Sequence, residues 1–224
     1  MTTKHNIILI DKPSGWTSHD VCAKIKNCFN FKKVGHSGTL DPMATGLLVI
    51  GCNEQTKQLS KLSLDDKEYV SNFTFGSKTE TGDKTGKVIT SKPSSIIKKQ
   101  LKQAIRFFKK GPYLQKPHIF SAKKVNGIRA YDLARAKTNI ELKAVKVKIN
   151  KIKILSFDQT KQVVILRMNV SKGFYVRSFC EDLAAKLGTF GYVSALQRTK
   201  CGKFKLKHAY KLNDYLKLNN SYAN

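Results

Sequence analysis

Apolar residues crowd into HNIILI (residues 5–10), and a short apolar run ending at a Pro13/Gly15 turn predicts a buried strand. After that turn, Thr17 or Ser18 is placed to cap a helix whose Val21, Cys22, Ile25, Cys28 and Phe29 share one side. A glycine-rich loop, KKVGHSGTLDPMATG, leads into a second apolar strand, LLVIGC, and a short helix near 54–63 precedes the strand KEYVSNFTFG. SKTETGDKTG is polar throughout and reads as a loop. Helical spacing returns over about 94–109, with Ile97, Leu101, Ala104, Ile105 and Phe108 in register. Pro112 and Pro117 open an irregular stretch with a short helix near 129–136. AVKVKINKIKILSF and QVVILRMNVSKG read as two long strands. A helix over about 176–187, with Val176, Phe179, Cys180, Leu183 and Leu187 on one face, and a strand over about Tyr192–Arg198 complete the pattern.

Helices and strands mix without a regular βαβ repeat, which predicts an α+β fold around a mainly antiparallel sheet flanked by helices. No internal repeat or low-complexity linker appears. The expectation is one domain over 1–224 carrying an insertion at about 111–136. No apolar run approaches the ~18 residues of a membrane span, and the N-terminal run is too short for a secretory signal. A cytoplasmic protein without a membrane partner is expected. The five cysteines form no CxxC pair, so neither a disulfide framework nor a metal site is predicted.

Charge narrows the partner. The chain holds 42 Lys+Arg against 15 Asp+Glu, a net charge of +27. Such an excess repels itself unless a polyanion is near. No basic amphipathic anchor points to a membrane, which leaves nucleic acid. A lysine-rich composition accounts for part of the excess but not for its unevenness: residues 91–153 hold 18 basic and 2 acidic residues. That stretch is the expected phosphate-contacting region.

Candidate chemistry lies in GHSGTLDPMATG, Gly35 to Gly46. Its glycines allow positive φ and close approach, and Pro42 restricts Asp41 away from the helical region. A carboxylate is then held in a loop before a buried strand, a common place for reactive groups. On these residues alone a second reading stays open, in which Asp41 caps a helical turn with Pro42 at its first position.

The longer string GHSGTLDPMATGLL resembles the catalytic motif of the bacterial tRNA pseudouridine-55 synthase family. IDKPSGWTSHDV (10–21), DKEYV (66–70), TETGDKTG (79–86), QKPHIFSAKKVNGIRAYDLAR (115–135), SKGFYVRSFCEDLAAKLG (171–188) and LQRTKCGKF (196–204) are similar to its other motifs, in family order and over nearly the whole chain.

The resemblance implies the pseudouridine-synthase catalytic fold and isomerisation of uridine 55 in the tRNA T-loop, without cofactor or metal. Asp41 matches the catalytic aspartate, and attack at C1′, attack at C6 and proton transfer all remain open to it. Arg177 matches the arginine that pairs with it, and Tyr69 the active-site tyrosine. Tyr175 would line the pocket; if it and Arg177 share a strand end, both side chains point the same way. His36 resembles the residue that occupies the position a flipped base vacates. Leu196 resembles an apolar lining of the uracil site, and Lys12 a motif lysine giving phosphate or structural support. Lys123, Lys124 and Arg129 fall in the thumb-like insertion that grips RNA in the family.

Four departures bear on RNA grip. Pro117–His118 stands where the family often has two prolines, and Phe120 where it often has tyrosine. Lys143 and Ala144 stand near a usual arginine, and Gln197–Arg198 where paired arginines are usual. Only 20 residues follow Phe204, so no separate C-terminal RNA-binding domain is expected. The partner implied is the tRNA T-arm stem-loop, with no guide RNA and a monomeric enzyme. Two alternatives are the same chemistry on another RNA stem-loop and a non-catalytic RNA-binding or RNA-folding protein.

Overall fold

The computed structural model describes residues 7–121, 123–125, 127–136 and 141–220. In chain order the elements are β1 (Ile7–Lys12), α1 (Ser18–Cys28), β2 (Val34–His36), β3 (Thr45–Cys52), α2 (Leu59–Ser63), β4 (Lys67–Phe75), β5 (Ser77–Thr79) and β6 (Val88–Ser91). There follow α3 (Lys98–Lys109), β7 (Tyr113–Gln115), β8 (Lys124–Val125), β9 (Ile128–Arg129), α4 (Ala130–Arg135), β10 (Val145–Val147), β11 (Ile149–Asp158) and β12 (Val163–Val170). The last are α5 (Val176–Lys186), β13 (Gly191–Cys201), β14 (Phe204–Lys205), β15 (Tyr210–Lys211) and α6 (Leu212–Asn220). They form two compact units, one of Met1–Tyr69 with Leu196–Asn224, the other of Val70–Ala195; the chain passes between them within β4 and within β13.

In the first unit the strands run in the order β13-β3-β1-β15, with β2 paired to β3 and β14 to β13. β1 is antiparallel to β3, whereas β3–β13 and β1–β15 are parallel, so the sheet is mixed. The apolar run of β3 follows from its position. Leu48, Ile50 and Cys52 pack with Val21, Cys22 and Ile25 of α1 and Leu212 of α6, while Leu47 and Val49 face Cys201 and Leu206 on the other side. Both faces are covered, so no position alternates to polar. α1 begins as predicted. Thr17 accepts from the Asp20 N–H at 3.0 Å, and Asp20 accepts from the Thr17 N–H at 2.9 Å, a reciprocal cap. Ser18 does something else: its hydroxyl accepts from the Leu40 N–H at 2.8 Å and donates to the Leu40 carbonyl at 3.2 Å, tying the helix start to the glycine-rich loop.

In the second unit β11, β12, β4 and β13 are successive neighbours. β11 and β12 form an antiparallel pair, in which Val164, Leu166, Met168 and Val170 alternate inward. Phe179 of α5 is the hub of the core, with Phe73, Phe108 and Phe174 around it at 5.4–5.8 Å between ring centroids.

Three features differ from the pattern-based expectation. SKTETGDKTG is not wholly loop, because Ser77–Thr79 pairs with Val88–Ser91. The long strand over 144–157 is two elements, β10 pairing with β7 and β11 with β12, so its alternation continues across a change of partner. Residues after Phe204 add β15 and α6, where Tyr215 meets Phe29 at 4.9 Å between centroids.

Candidate active site

The loop between β2 and β3 is fixed from three sides in the first unit. Asp41 opens a turn closed by the Ala44 N–H on the Asp41 carbonyl at 3.0 Å, with Pro42 at the second position. Pro42 thus follows Asp41 at the start of a single turn, from which no helix continues. From the second side, the Pro42 carbonyl accepts from the Gly15 N–H at 2.8 Å and from Lys12 Nζ at 3.3 Å. Lys12 is fully buried and also donates to the carbonyls of Pro13 at 2.9 Å and Trp16 at 2.6 Å. An ammonium has three donors, and all three go to backbone. Lys12 therefore pins the N-terminal turn to the Asp41 turn; support of structure, rather than of phosphate, is what its geometry provides. Burial lowers its pKa to about 8, with the Asp41 carboxylate opposing that shift and the Arg198 charge adding to it.

The third side is Arg198, a residue that sequence reasoning noted only as a departure. Its side chain is 1% exposed. Nε donates to the Leu47 carbonyl at 2.8 Å and an Nη to the Gly38 carbonyl at 3.0 Å. Burial pushes the pKa of the Tyr69 phenol up, and the Arg198 charge pulls it back. Of the three loop glycines, Gly46 alone has positive φ, +98°, and a Cβ there would collide with the Arg198 backbone. Lys12, Tyr69 and Arg198 are thus buried around a half-buried Asp41, whose charge acts on both Lys12 and Tyr69. His36 ends β2, paired with Ile50, and Leu196 is buried in β13.

Arg177 and Tyr175 stand in the second unit. Tyr175 is the N-cap of α5 and Arg177 its second residue, so the strand-end geometry that would make their side chains parallel is not present. The Tyr175 N–H donates to the Gln115 amide oxygen at 2.8 Å, and the Gln115 amide nitrogen donates to the Tyr175 carbonyl at 3.2 Å. Arg177 is 6% exposed and donates to the carbonyls of Thr81 at 2.8 Å and Phe120 at 2.7 Å, with Asp83 at 4.0 Å. Asp83, which the sequence did not single out, organises the TGDKTG turn: it accepts from the Thr81 hydroxyl and from the Thr85 N–H and hydroxyl at 2.6–2.9 Å. In the insertion, Lys123 Nζ donates to the Lys143 carbonyl at 3.0 Å. Lys124 and Arg129 face each other across the β8–β9 pair; their side chains lie outside the described residues.

α5 also carries a carboxylate sensitive to pH. Burial, with Glu181 next to it, pushes the Asp182 pKa up to about 6, opposed by the Tyr113 hydroxyl. Its folded pKa lies above the unfolded value near 3.9. The protonated form is therefore favoured by folding, and that contribution is lost as pH rises from about 4 through 6. Asp182→Asn should raise the melting temperature at pH 7.5 by about 3–6 °C, for ~1–2 kcal/mol after allowance for partial exposure. The same variant should give no gain at pH 4; an equal gain at both values in thermal melts would count against ionisation as the cause.

Comparisons with known proteins give the family of the chain. A model of the TruB family pseudouridylate synthase N-terminal domain matches residues 26–176, and one of the tRNA pseudouridylate synthase B C-terminal domain matches residues 177–224. A protein named tRNA pseudouridine synthase B from Ureaplasma parvum is 46% identical over 91% of this chain and 90% of its own. Its namesake from Mycobacterium tuberculosis is 39% identical over 95% of this chain and 72% of its own. A solved Cbf5-Nop10-Gar1 complex contains a chain that superposes with a TM-score of 0.75 and 26% identity; the match covers 97% of this chain and 55% of that one. With identities of 39–47% over nearly its full length and family models that together run from residue 26 to its end, the chain belongs to the TruB family of pseudouridylate synthases.

Proposed function

We propose that the protein isomerises uridine to pseudouridine in tRNA, at uridine 55 of the T-loop, with Asp41 as the catalytic carboxylate. The observation that carries this reading is the Asp41 turn, clamped by Lys12 and Arg198 inside a chain of TruB descent. In the reaction the N1–C1′ bond breaks, the uracil turns over and C5 bonds to C1′. The C5 proton leaves and N1 gains one, so no electrons are exchanged. A fixed carboxylate serves each available route: attack at C1′, attack at C6, or removal of the C5 proton. Arg177 would keep it ionised and aimed, and Tyr69 would stack on the base. The target must first leave its stack, at a cost of about a few kcal/mol; His36 would fill the gap and Leu196 and Tyr175 would wall the pocket. An enzyme acting on tRNA would work in the cytoplasm, and among the described residues no helix is long and apolar enough to cross a membrane.

The test is incubation of purified protein with unmodified tRNA transcript, without added metal, cofactor or second RNA, followed by mapping of pseudouridine at single-nucleotide resolution. Modification of the T-loop uridine is expected. Activity only with an added RNA or protein would favour a partner-dependent enzyme, a reading suggested by the Cbf5 assemblies that share the fold.

Grip on the RNA should involve α3. Lys98, Lys99, Lys102, Arg106 and Lys109 are all exposed there, with no acidic residue on the helix. Two of these cations sit in the first turn, against the helix dipole, and like charges recur four apart, both unfavourable to the helix alone. Replacing Lys98, Lys102, Arg106 and Lys109 by Gln should weaken tRNA binding and reduce the slope of log K against log salt by about 1–3, at ~0.7–0.9 for each phosphate no longer neutralised. An unchanged slope in filter-binding titrations would remove α3 from the interface.

A further inference from the structure

We infer that His118 is a positioning residue for Arg177, holding in place two backbone carbonyls that receive its guanidinium; the inference rests on the role proposed above for Arg177. The two acceptors come from segments about forty residues apart in sequence, the Thr81 carbonyl in the turn after β5 and the Phe120 carbonyl in the stretch after β7. Neither segment is fixed by regular secondary structure at that point. His118 touches both. Its Nδ1 accepts from the N–H of Phe120 at 3.3 Å, the same residue whose carbonyl takes the Arg177 Nη2. Its ring lies over Gly82, next to Thr81: a Cβ on Gly82 would stand 2.8 Å from Nε2 and 3.0 Å from Cδ2. Gly82 has φ +69°, so the absent side chain and the backbone conformation both make room for the imidazole.

The ring is 7% exposed, and burial together with the Arg177 charge lowers its pKa to about 3. A neutral imidazole that accepts at Nδ1 carries its proton on Nε2. That nitrogen faces the Glu181 carboxylate, 3.8 Å away on α5, the helix that also bears Arg177. A cationic imidazole in this place would repel the guanidinium and lose the acceptor for Phe120. His118 thus acts as a neutral wedge between two loops and a helix, with one acceptor and one donor facing opposite ways.

The experiment compares wild type, His118→Phe and His118→Asn on tRNA transcript, reading single-turnover rate, tRNA dissociation constant and melting temperature. Phe keeps the ring over Gly82 but not the acceptor; Asn keeps an acceptor at short reach. Loss of the acceptor should lower the single-turnover rate by about 10–100-fold, the range expected when a reacting group is displaced by about 1 Å. Affinity should stay within about threefold of wild type, and Asn should recover most of the rate. A wild-type rate in His118→Phe overturns the inference, as does an equal loss in both variants or a loss of affinity at constant rate. If Arg177→Met retains the wild-type rate, the role of Arg177 fails first and His118 with it; an inactive Arg177→Met beside a fully active His118→Phe removes His118 alone.

Discussion

Asp41→Asn is expected to bind tRNA as tightly as wild type and to make no pseudouridine, with a single-turnover rate lower by at least about 10⁴-fold, the scale seen when a central catalytic group is removed. The fold should survive. The hydrogen bond that closes the Asp41 turn uses the Asp41 carbonyl, and the bonds from Gly15 and Lys12 go to the Pro42 carbonyl; none of these needs the carboxylate. Asparagine keeps the volume and loses the charge, so covalent attack and proton removal are lost together. Mapping of modified tRNA, run beside a binding titration and a thermal melt, checks all three parts. Residual modification above about one part in a hundred of the wild-type rate would move the chemistry to another group. Binding that weakened in step with activity would instead make Asp41 a structural residue.

Arg198→Lys should be the second largest change, and on stability the larger. The side chain sends Nε to the Leu47 carbonyl and an Nη to the Gly38 carbonyl. Lysine keeps the charge but carries all its donors on one terminal nitrogen, so it cannot replace the Nε bond to Leu47 and the Nη bond to Gly38 together. At least one buried carbonyl loses its partner, at about 1–3 kcal/mol, and charged hydrogen bonds worth ~1.5–3 kcal/mol each are lost or weakened. A total of about 2–4 kcal/mol corresponds to a melting temperature lower by ~5–15 °C for a chain of this size. Activity should fall by more than the unfolded fraction explains, because the Gly38 end of the Asp41 loop is released. A melt within about 2 °C of wild type would show that Arg198 does not hold the loop.

What could be read from the residues was local. The reciprocal cap of α1 needs only Thr17 and Asp20, three positions apart, and it formed as spacing suggests. The continuous apolar run of β3 implied a buried strand. The Asp41 loop announced itself through glycines, Pro42 and a string shared with a family. The roles of Lys12, Asp83, His118 and Arg198 were not visible in the same way. A buried cation whose partners are carbonyls leaves no trace in the partners' side chains: the Arg198 bonds reach Leu47 and Gly38, 151 and 160 residues away. Pairing of Ser77–Thr79 with Val88–Ser91 was hidden because both stretches are polar and β6 is exposed throughout.

The sequence by itself therefore determined the family, the α+β class and the identity of the candidate carboxylate, since these depend on periodicity and on side-chain type at close spacing. Tertiary structure alone decided how the Asp41 loop is held, with all three Lys12 donors on carbonyls and Arg198 joining β3 to the loop at Gly38, and, in the second unit, how Arg177 is held by the Thr81 and Phe120 carbonyls. The reason is that buried polar groups must find hydrogen-bond partners wherever the backbone provides them, and backbone groups are the same at every residue.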